Sequence, residues 1–449
     1  MIGEFSFPEK DTMEKGFFNS ESAGKCDKYE KNMRFFFRGF EKVFPELYSS
    51  VYPLFPPGVK SNLNGRIFTE RMNVFIEKTI AFFQKCRMAQ TGYSTWSRTV
   101  LIACAACLAA ACLLVWTVDP HYRYHMPLFY DTVYYELYAT APRFLKSEKY
   151  DLLMLGTSMT RNFFLNDINE AFGCQSVKLA ASGGTMFDLK KFFDLAKAAK
   201  GGELKRVVFS LDIYSLNKLS PHWKEFSHLY REDFKEEYKY FFSRQTYSSM
   251  FYLMKRKLRP KKKRMFQTDR NRMFSTEYPG MRFGLQAVLR DAWHNEKAHH
   301  TQTPYIPASE KTLREQFLPI FDRNPDMHFT VYLPPYHIYT YCQSELFGES
   351  EALIRQRSAV MKELIKRPNV TLYDFQADPS YVCNHDYFSD VQHFSSHAAR
   401  RVLRDLTGKR SPIRTEAQVL ENEKLLRELI RRSMKDYHND MQPFRKKGA

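Results

Sequence analysis

Three residues of this 449-residue chain have the types and spacing needed for nucleophilic acyl chemistry. Ser158 follows the apolar run 152–155, whereas Asp390 and His393 stand three positions apart, more than 200 residues later. A serine hydroxyl is scarcely ionised at neutral pH and needs an adjacent base to attack a carbonyl. A histidine whose second ring nitrogen is held by a carboxylate is such a base. The sequence therefore predicts a catalytic triad of Ser158, His393 and Asp390.

Each half of this triad also has a plainer interpretation. The run Gly156-Thr157-Ser158 is common where a strand leads into a helix, because a hydroxyl there caps the helix N-terminus. Asp390 and His393 precede a helix that Ser395 or Ser396 can cap, and they could be incidental surface residues. Short motifs match by chance often. The triad prediction depends on the order of the two blocks and on their placement after strands.

The elements that must position these residues follow an alternating pattern. Five short apolar runs are typical of strands buried on both faces: 152–155, 177–180, 207–211, 329–333 and 370–373. Helical patterns lie between several of them, at 185–199, 309–321, 350–366 and 396–406. This alternation predicts an α/β fold with a doubly wound parallel sheet. Such sheets bind ligands at the carboxyl ends of their strands, where Ser158 would lie.

Across about residues 148–407 the chain resembles the SGNH (GDSL-like) hydrolase superfamily, whose sheet is flavodoxin-like. The resemblance rests on Gly156-Thr157-Ser158, on the glycine turn at 183–184 and on the Asp390 to His393 block. It is strongest for the membrane-anchored cell-envelope branch, which includes alginate O-acetyltransferase-like and teichoic-acid D-alanylation-like proteins. Thr157 stands where the family most often has aspartate.

The resemblance implies roles for further residues. The backbone N–H of Ser158 and that of Gly183, with Gly184 as the fallback, would donate to the oxyanion. Gly156 would let the chain turn sharply after its strand. The third block of the family supplies an asparagine donor, but here the strand ends in Asp212, which cannot donate when ionised. The third donor is therefore unassigned.

Two further polar residues follow strands and are candidate substrate contacts. Asp212 ends the third strand, and His337 follows the fourth in Leu-Pro-Pro-Tyr-His. Both should lie at the same edge of the sheet as Ser158. A lone histidine is more often structural than functional, so His337 keeps both interpretations.

One segment is long and apolar enough to cross a bilayer. No charged residue lies between Arg98 and Asp119, and about 20 apolar residues suffice for a span. Basic residues precede this segment, so the positive-inside rule predicts a cytoplasmic segment 1–96, a transmembrane helix 97–118 and an extracytoplasmic remainder, in the periplasm or on the cell surface. A cleaved signal peptide is the alternative, but the preceding segment is long for that role. Met88 could be the natural start, which would make 1–87 an upstream extension.

The rest of the chain divides by composition. We expect a short stalk at 119–147, the catalytic domain at 148–407 with an aromatic and basic helical insertion at about 214–302, and a charged helical tail at 408–449. The insertion is a candidate substrate cap. Within it, the basic run 255–264 is either a solvated loop or a contact for phosphate headgroups or an anionic glycan.

Charge and cysteine content limit the partners. The net charge of +18 favours membranes or anionic polymers, and no nucleic-acid motif occurs. Only Cys174, Cys342 and Cys383 follow the apolar segment, so at most one disulfide is available there, with Cys342 and Cys383 as the candidate pair. No Cys/His cluster has zinc spacing, and we expect no metal and no cofactor.

Together these features predict a membrane-anchored serine esterase or O-acetyltransferase that acts on acyl groups of an envelope or exported polysaccharide. The resemblance further implies a multi-pass membrane-bound O-acyltransferase as the acyl donor's source. A non-catalytic envelope scaffold that binds glycan through the same fold is the alternative.

Overall fold

The structure, a computed structural model, describes residues 93–134, 136–217, 220–231, 234–258, 267–278, 280–299 and 313–448. The predicted cytoplasmic segment before residue 93, including the proposed extension before Met88, lies outside this part of the chain. So do residues 259–264 of the basic run.

Five strands form one parallel sheet, as the apolar runs predict. They are β1 (Leu152–Thr157), β2 (Ser176–Ala181), β3 (Arg206–Ser210), β4 (His328–Leu333) and β5 (Val370–Asp374). Their order is β2-β1-β3-β4-β5, and every neighbouring pair is parallel. The strands are almost entirely buried, which explains why they appear in the sequence as continuous apolar runs.

The described helices surround this sheet and extend beyond it. They are α1 (Tyr93–Val118), α2 (Leu137–Ser147), α3 (Leu165–Phe172), α4 (Met186–Lys200), α5 (Phe234–Phe242), α6 (Arg244–Leu258), α7 (Leu285–Ala298), α8 (Pro319–Asp322), α9 (Ile338–Leu346), α10 (Ser350–Leu364), α11 (Pro379–Val382), α12 (Ser396–Arg404) and α13 (Glu416–Gly448).

The direction in which successive strands are added to the sheet reverses between β1 and β3. The chain runs from β1 outward to β2 and then returns across β1 to β3. Because parallel connections are right-handed, α3 and α4 must cover opposite faces of the sheet. Accordingly, α3 packs with α12 and α4 packs with α2. The reversal opens a crevice at the carboxyl ends of β1 and β3, the usual ligand position in such sheets.

Residues 119–147 belong to the folded domain, so the prediction of a stalk is wrong. Tyr122, Phe144 and Leu145 are almost fully buried in the same hydrophobic core as the sheet. Their aromatic composition suggested a linker beside a membrane. Instead, these side chains supply core contacts against β2 and α4.

The charged tail is helical, as predicted, but it is not a separate appendage. One side of α13 packs against α9, α10 and α7, and its Leu426, Tyr437 and Met441 are fully buried. The domain therefore continues past the predicted boundary at residue 407. The charged residues that dominate the tail's composition occupy the opposite, exposed side of the helix.

A buried ion pair joins α10 to the end of β5. The guanidinium of Arg357, fully buried, donates to the carboxylate of Asp374, which also accepts from the side chain of Asn422 in α13 at 3.0 Å. Burial lowers the pKa of Arg357 to about 10. Two of its nitrogens, Nε and Nη1, have no hydrogen-bond partner, so this pair carries a desolvation cost that Asp374 only partly offsets.

We predict that Arg357→Ala destabilises the fold strongly. The substitution leaves Asp374 charged and buried, and removing one partner of a buried pair costs about 3–5 kcal/mol. Urea unfolding of the full chain in detergent measures this change. The matched control is Arg355→Ala on the same helix, whose side chain is 78% exposed and whose loss should change the unfolding free energy by about 0.5 kcal/mol or less. Equal effects of both substitutions would contradict the prediction.

Helix α1 contains a 23-residue window, Trp96–Val118, that is long and apolar enough to cross a membrane. Only 6% of its most apolar part is buried in the protein. A core helix of this hydropathy would be covered by other elements. The helix therefore has the properties of a candidate span, by length and composition.

Cys342 and Cys383, the candidate disulfide pair, are free thiols in the structure. A cavity of about 460 Å³ is lined by residues such as Leu152, Arg206 and His328. These residues begin their strands, so the cavity lies at the amino edge of the sheet, opposite the predicted site. We give it no role in the chemistry, because open α/β sheets place ligands at the carboxyl edge.

Candidate active site

Ser158 begins a short 3₁₀ turn directly after β1, at the crevice between β1 and β3. The preceding Gly156 is required by packing and not, as expected, by a turn. It is part of the strand, and an added Cβ would lie 2.6 Å from both the Cβ of Ser210 and the Cγ2 of Thr160. Any larger residue would push β1 away from β3 and move Ser158 with it.

The structure brings the three predicted triad residues into one hydrogen-bonded chain. The Oγ of Ser158 lies 2.8 Å from Nε2 of His393, and Nδ1 of His393 lies 2.8 Å from Oδ2 of Asp390. A carboxylate only accepts, so Nδ1–H donates to Asp390 and Nε2 is left to accept the serine proton. This is the geometry that a serine nucleophile and its base require.

Asp390 is fixed by its own loop before it meets the histidine. Its Oδ1 accepts the backbone N–H groups of Gln392 at 2.8 Å and of His393 at 2.6 Å. The turn ends at Ser395, whose hydroxyl caps α12 by accepting from the backbone N–H of Ala398. Ser395 is one of the two predicted caps. The other candidate, Ser396, instead donates to Glu277 at 3.0 Å.

The electrostatics favour a charged carboxylate beside a basic imidazole. Burial would raise the pKa of Asp390, but hydrogen bonds and charge from His393 outweigh it, and the pKa lies below its usual value. Burial would likewise lower the pKa of His393, yet the hydrogen bond and charge of Asp390 hold it above 6.5. His393 is therefore a stronger base than a free imidazole.

A buried amide ties the serine segment to the histidine segment. The side chain of Asn162 donates to the backbone carbonyl of Phe394 at 2.7 Å and accepts from Ser275 at 3.3 Å. On the other side, the fully buried Lys178 of β2 donates to the carbonyls of Arg161 and Phe163. The turn that carries Ser158 is thus held from both directions.

The carboxylate of Asp212 accepts three hydrogen bonds from other groups of the protein. It accepts from the hydroxyl of Thr157 at 2.8 Å, from the hydroxyl of Tyr336 at 2.5 Å and from the backbone N–H of Tyr214 at 3.1 Å. It therefore links the ends of β1, β3 and β4. This contact also gives Thr157 a function, since a threonine can donate to Asp212 where a second aspartate would repel it. These contacts give Asp212 a positioning role, and its candidate contact with a substrate stays a prediction.

The two glycines of the predicted oxyanion turn differ. The N–H of Gly184 donates to the carbonyl of Ala181 at 2.9 Å, so the prediction of Gly184 as a fallback donor is wrong. Its role is close packing, because an added Cβ would lie 2.7 Å from the Cβ of Ala181. Gly183 is exposed and adopts a left-handed φ of 63°, a conformation that favours glycine. Gly183 and Ser158 remain the candidate backbone donors.

His337 is not a substrate contact, contrary to one of its two interpretations. It is completely buried, and its Nδ1 accepts the N–H of Tyr339 at 3.1 Å while Nε2 donates to Nδ1 of His385 at 2.8 Å. Burial lowers the pKa of His337 to about 3, which keeps the ring neutral. Its backbone N–H donates to the carbonyl of Val391 at 3.0 Å, so it supports the loop that carries Asp390 and His393.

Asp291 is a site residue that the sequence did not reveal. It lies on α7 of the insertion, and its Oδ2 accepts the backbone N–H of Val391 at 3.2 Å. Burial and the nearby charge of Asp390 raise its pKa. No motif marks this aspartate, because it belongs to a helix some 100 residues before the loop that it contacts. The insertion thus reaches the site through a positioning residue.

We predict different effects for two substitutions of Asp291. Asp291→Asn keeps an acceptor for Val391 but removes a negative charge near His393, so the acidic limb of kcat/KM should move to lower pH. Asp291→Ala removes the same charge and also leaves the Val391 N–H unpaired, a cost of about 1–3 kcal/mol that should lower the plateau of kcat/KM roughly 10-fold in addition to the shift of the limb. Asn295→Ala, which removes only the side chain bound to Asp291 at 3.4 Å, is the control. Identical pH profiles for the wild type and Asp291→Asn would contradict the electrostatic part.

Arg161 is a second residue that the motif did not predict. It follows Ser158 by one turn, and its backbone N–H donates to the Ser158 carbonyl at 3.1 Å. Among the described residues, its guanidinium forms no hydrogen bond or ion pair, and Tyr138 is an electrostatic neighbour. Burial lowers the pKa of Arg161, and its charge acts on His393. An unpaired cation beside a nucleophile favours an anionic group on the substrate.

Comparisons with models of protein families, with curated proteins and with solved structures find no match for this chain. Among the described residues, no group of three metal-ligating side chains lies together, whereas the serine, imidazole and carboxylate do. The arrangement can deprotonate a serine, hold an imidazolium and form an ester on Ser158.

Proposed function

We propose that this protein is a membrane-anchored SGNH-like serine acyltransferase or esterase that acts on O-acyl groups of a cell-envelope or exported polysaccharide. The observation that carries the proposal is the hydrogen-bonded chain from Ser158 through His393 to Asp390. Its place at the carboxyl edge of a β2-β1-β3-β4-β5 parallel sheet adds support.

In the first half of the proposed reaction, the Oγ of Ser158 attacks the acyl carbonyl while Nε2 of His393 takes its proton. The backbone N–H groups of Ser158 and Gly183 would stabilise the oxyanion. The tetrahedral intermediate collapses, the bond to the leaving oxygen or sulfur breaks, and His393 returns the proton to that leaving group. The acyl group is then an ester of Ser158.

In the second half, His393 takes a proton from the acceptor, which attacks the acyl-serine. The bond between the acyl carbon and Oγ of Ser158 then breaks, and His393 returns the proton to Oγ. Water as the acceptor yields a free acid, whereas a sugar hydroxyl yields a new ester. Either route restores Ser158 and neutral His393. We favour the sugar, because a protein fixed to a membrane and carrying a net charge of +18 is suited to an adjacent anionic polymer. The unpaired guanidinium of Arg161 would meet the polymer's charge.

A partition experiment tests this function. The full chain in detergent is given an activated acetyl ester, and free acetate is compared with acetylated product in the presence of neutral or anionic sugar oligomers. We expect anionic oligomers to capture the acetyl group in preference to water, and Arg161→Gln to weaken that capture about 10-fold while hydrolysis continues. Hydrolysis with no capture by any oligomer would favour an esterase and overturn the transferase.

A further inference from the structure

The chain folds against the end of α1 as soon as the apolar helix ends. Asp119 is fully buried with a left-handed φ of 40°, and its carboxylate accepts the backbone N–H groups of Arg123, Tyr124 and His125. Tyr130 returns to donate to the carbonyl of Val118 at 2.8 Å. We call residues 119–130 the exit turn. It is a compact cap and not an extended connection.

The exit turn is bound to α5 of the insertion. Arg123 forms an ion pair with Glu237 at 2.6 Å, and the hydroxyl of Tyr240 donates to Asp119. The ring of Phe241 stacks on that of Tyr124 with centroids 5.8 Å apart. These three contacts fix one side of α5. The insertion therefore packs at the end of the candidate span, in addition to its contact with the catalytic loop through α7.

Helix α6 continues this packing down the side of α1. Met250 shares a buried cluster with Val115 and Val118, and Ser249 lies 3.0 Å from Nε2 of His121. Cys112, one turn earlier on the same side of α1, is half-buried, while Leu113 and Leu114 are exposed. One stripe of α1 is thus covered by the insertion over its last two turns.

How far the insertion extends along α1 determines whether its surface is exposed to water or to lipid. At 1.5 Å per residue, Cys112 lies about 9 Å before Val118 along the helix axis. The 23-residue window is about 34 Å long, against roughly 30 Å for the hydrocarbon core of a bilayer. With the window centred in a bilayer, Val118 lies about 1.5 Å outside the hydrocarbon, Val115 about 3 Å inside it and Cys112 about 7 Å inside it.

The exposed side chains of the exit turn, α5 and α6 are of the types found at the edge of a bilayer's hydrocarbon core. Leu128 and Phe129 of the exit turn are 62% and 45% exposed, and Tyr238 and Phe242 of α5 are 58% and 50% exposed. Aromatic side chains concentrate at membrane interfaces, and exposed large apolar side chains are unfavourable in water. The last turn of α6 carries Lys255, Arg256 and Lys257, which suits anionic headgroups.

We propose that the exit turn, α5 and α6 form a collar that is embedded in the headgroup and upper acyl region of the leaflet facing the α/β domain. The collar rests on the proposed anchoring by α1 but not on the proposed catalysis. Its partner is the lipid bilayer itself. Because α7 of the same insertion holds the catalytic loop through Asp291, the collar would set the distance of the site from the membrane.

Photo-crosslinking in vesicles tests the collar. Benzoylphenylalanine replaces Phe129 or Phe242, one at a time, in the full chain reconstituted into phosphatidylcholine and phosphatidylglycerol vesicles. Leu108, 55% exposed on α1, is the position expected to react with lipid, and Leu420, 50% exposed on α13, is the position expected not to. We expect lipid adducts at positions 108, 129 and 242, at least 10-fold above position 420, by mass spectrometry.

The controls separate the possible failures. Adducts at position 108 with background levels at 129 and 242 would overturn the collar and leave the anchor intact. Background levels at 108 as well would overturn both the anchor and the collar. The same measurement in a Ser158→Ala background should give unchanged adducts, since lipid contact does not require turnover. Failure of catalysis is therefore distinguishable from failure of the collar.

Discussion

Ser158→Ala should abolish turnover of acyl esters while leaving the fold intact. The substitution removes the atom that would form the acyl-enzyme, and loss of such a nucleophile lowers kcat on the order of 10⁶-fold in a serine hydrolase. The Oγ of Ser158 hydrogen-bonds to Nε2 of His393 and Ser158 is half-buried, so the free energy of unfolding should change by about 1 kcal/mol or less. Ester hydrolysis and urea unfolding of the full chain measure the two effects.

Covalent labelling gives this experiment a direct readout. A fluorophosphonate should modify the wild type at Ser158 and should not modify the variant. Ser380→Ala, an exposed serine on α11 whose hydroxyl contacts Asp378, is the matched control and should be labelled fully. Labelling of Ser158→Ala at the wild-type rate, or unchanged polymer acylation in cells, would contradict the enzyme and favour a glycan-binding scaffold.

Asp390→Asn should lower kcat on the order of 10⁴-fold, as loss of the carboxylate does in an established triad. The asparagine can still accept from the N–H groups of Gln392 and His393, so the loop should keep its shape. Its amide donates where the carboxylate accepted, however, and therefore favours the tautomer of His393 that carries a proton on Nε2. That tautomer cannot take the proton of Ser158.

The pH profile separates this electrostatic effect from a structural one. The base must be neutral, and the pKa of His393 lies above 6.5, so wild-type kcat/KM should rise with pH through that elevated value. Removal of the Asp390 charge lowers the pKa, and the residual activity should rise at a lower pH. Asp386→Asn, an exposed carboxylate on the same loop, should leave the profile unchanged. If the acidic limb of the kcat/KM profile stayed at the same pH in Asp390→Asn, Asp390 would not be the carboxylate that raises the pKa of His393.

The strands could be predicted because their physical signature is local. A strand buried on both faces must be apolar at every position, and all five runs fall within the observed strands to within one residue. Local patterns also placed Ser158 at a strand end and predicted a helix cap at Ser395 or Ser396, of which Ser395 is the one observed. Local composition misled where the chain packs unexpectedly. Residues 119–147 and α13 carry the aromatic and charged residues of a stalk and a tail, yet each buries one side against the domain.

The sequence by itself determined the types of the reacting groups: a serine after a buried strand, a carboxylate and imidazole three residues apart, and an apolar segment long enough for a span. Only the tertiary structure decided which polar groups share the site. It places Asp291 against the loop of Asp390, it gives the carboxylate of Asp212 three hydrogen-bond donors from the protein, and it buries His337 in the core. The reason is that each of these contacts joins residues distant in the chain, and periodicity reports only the environment of neighbours.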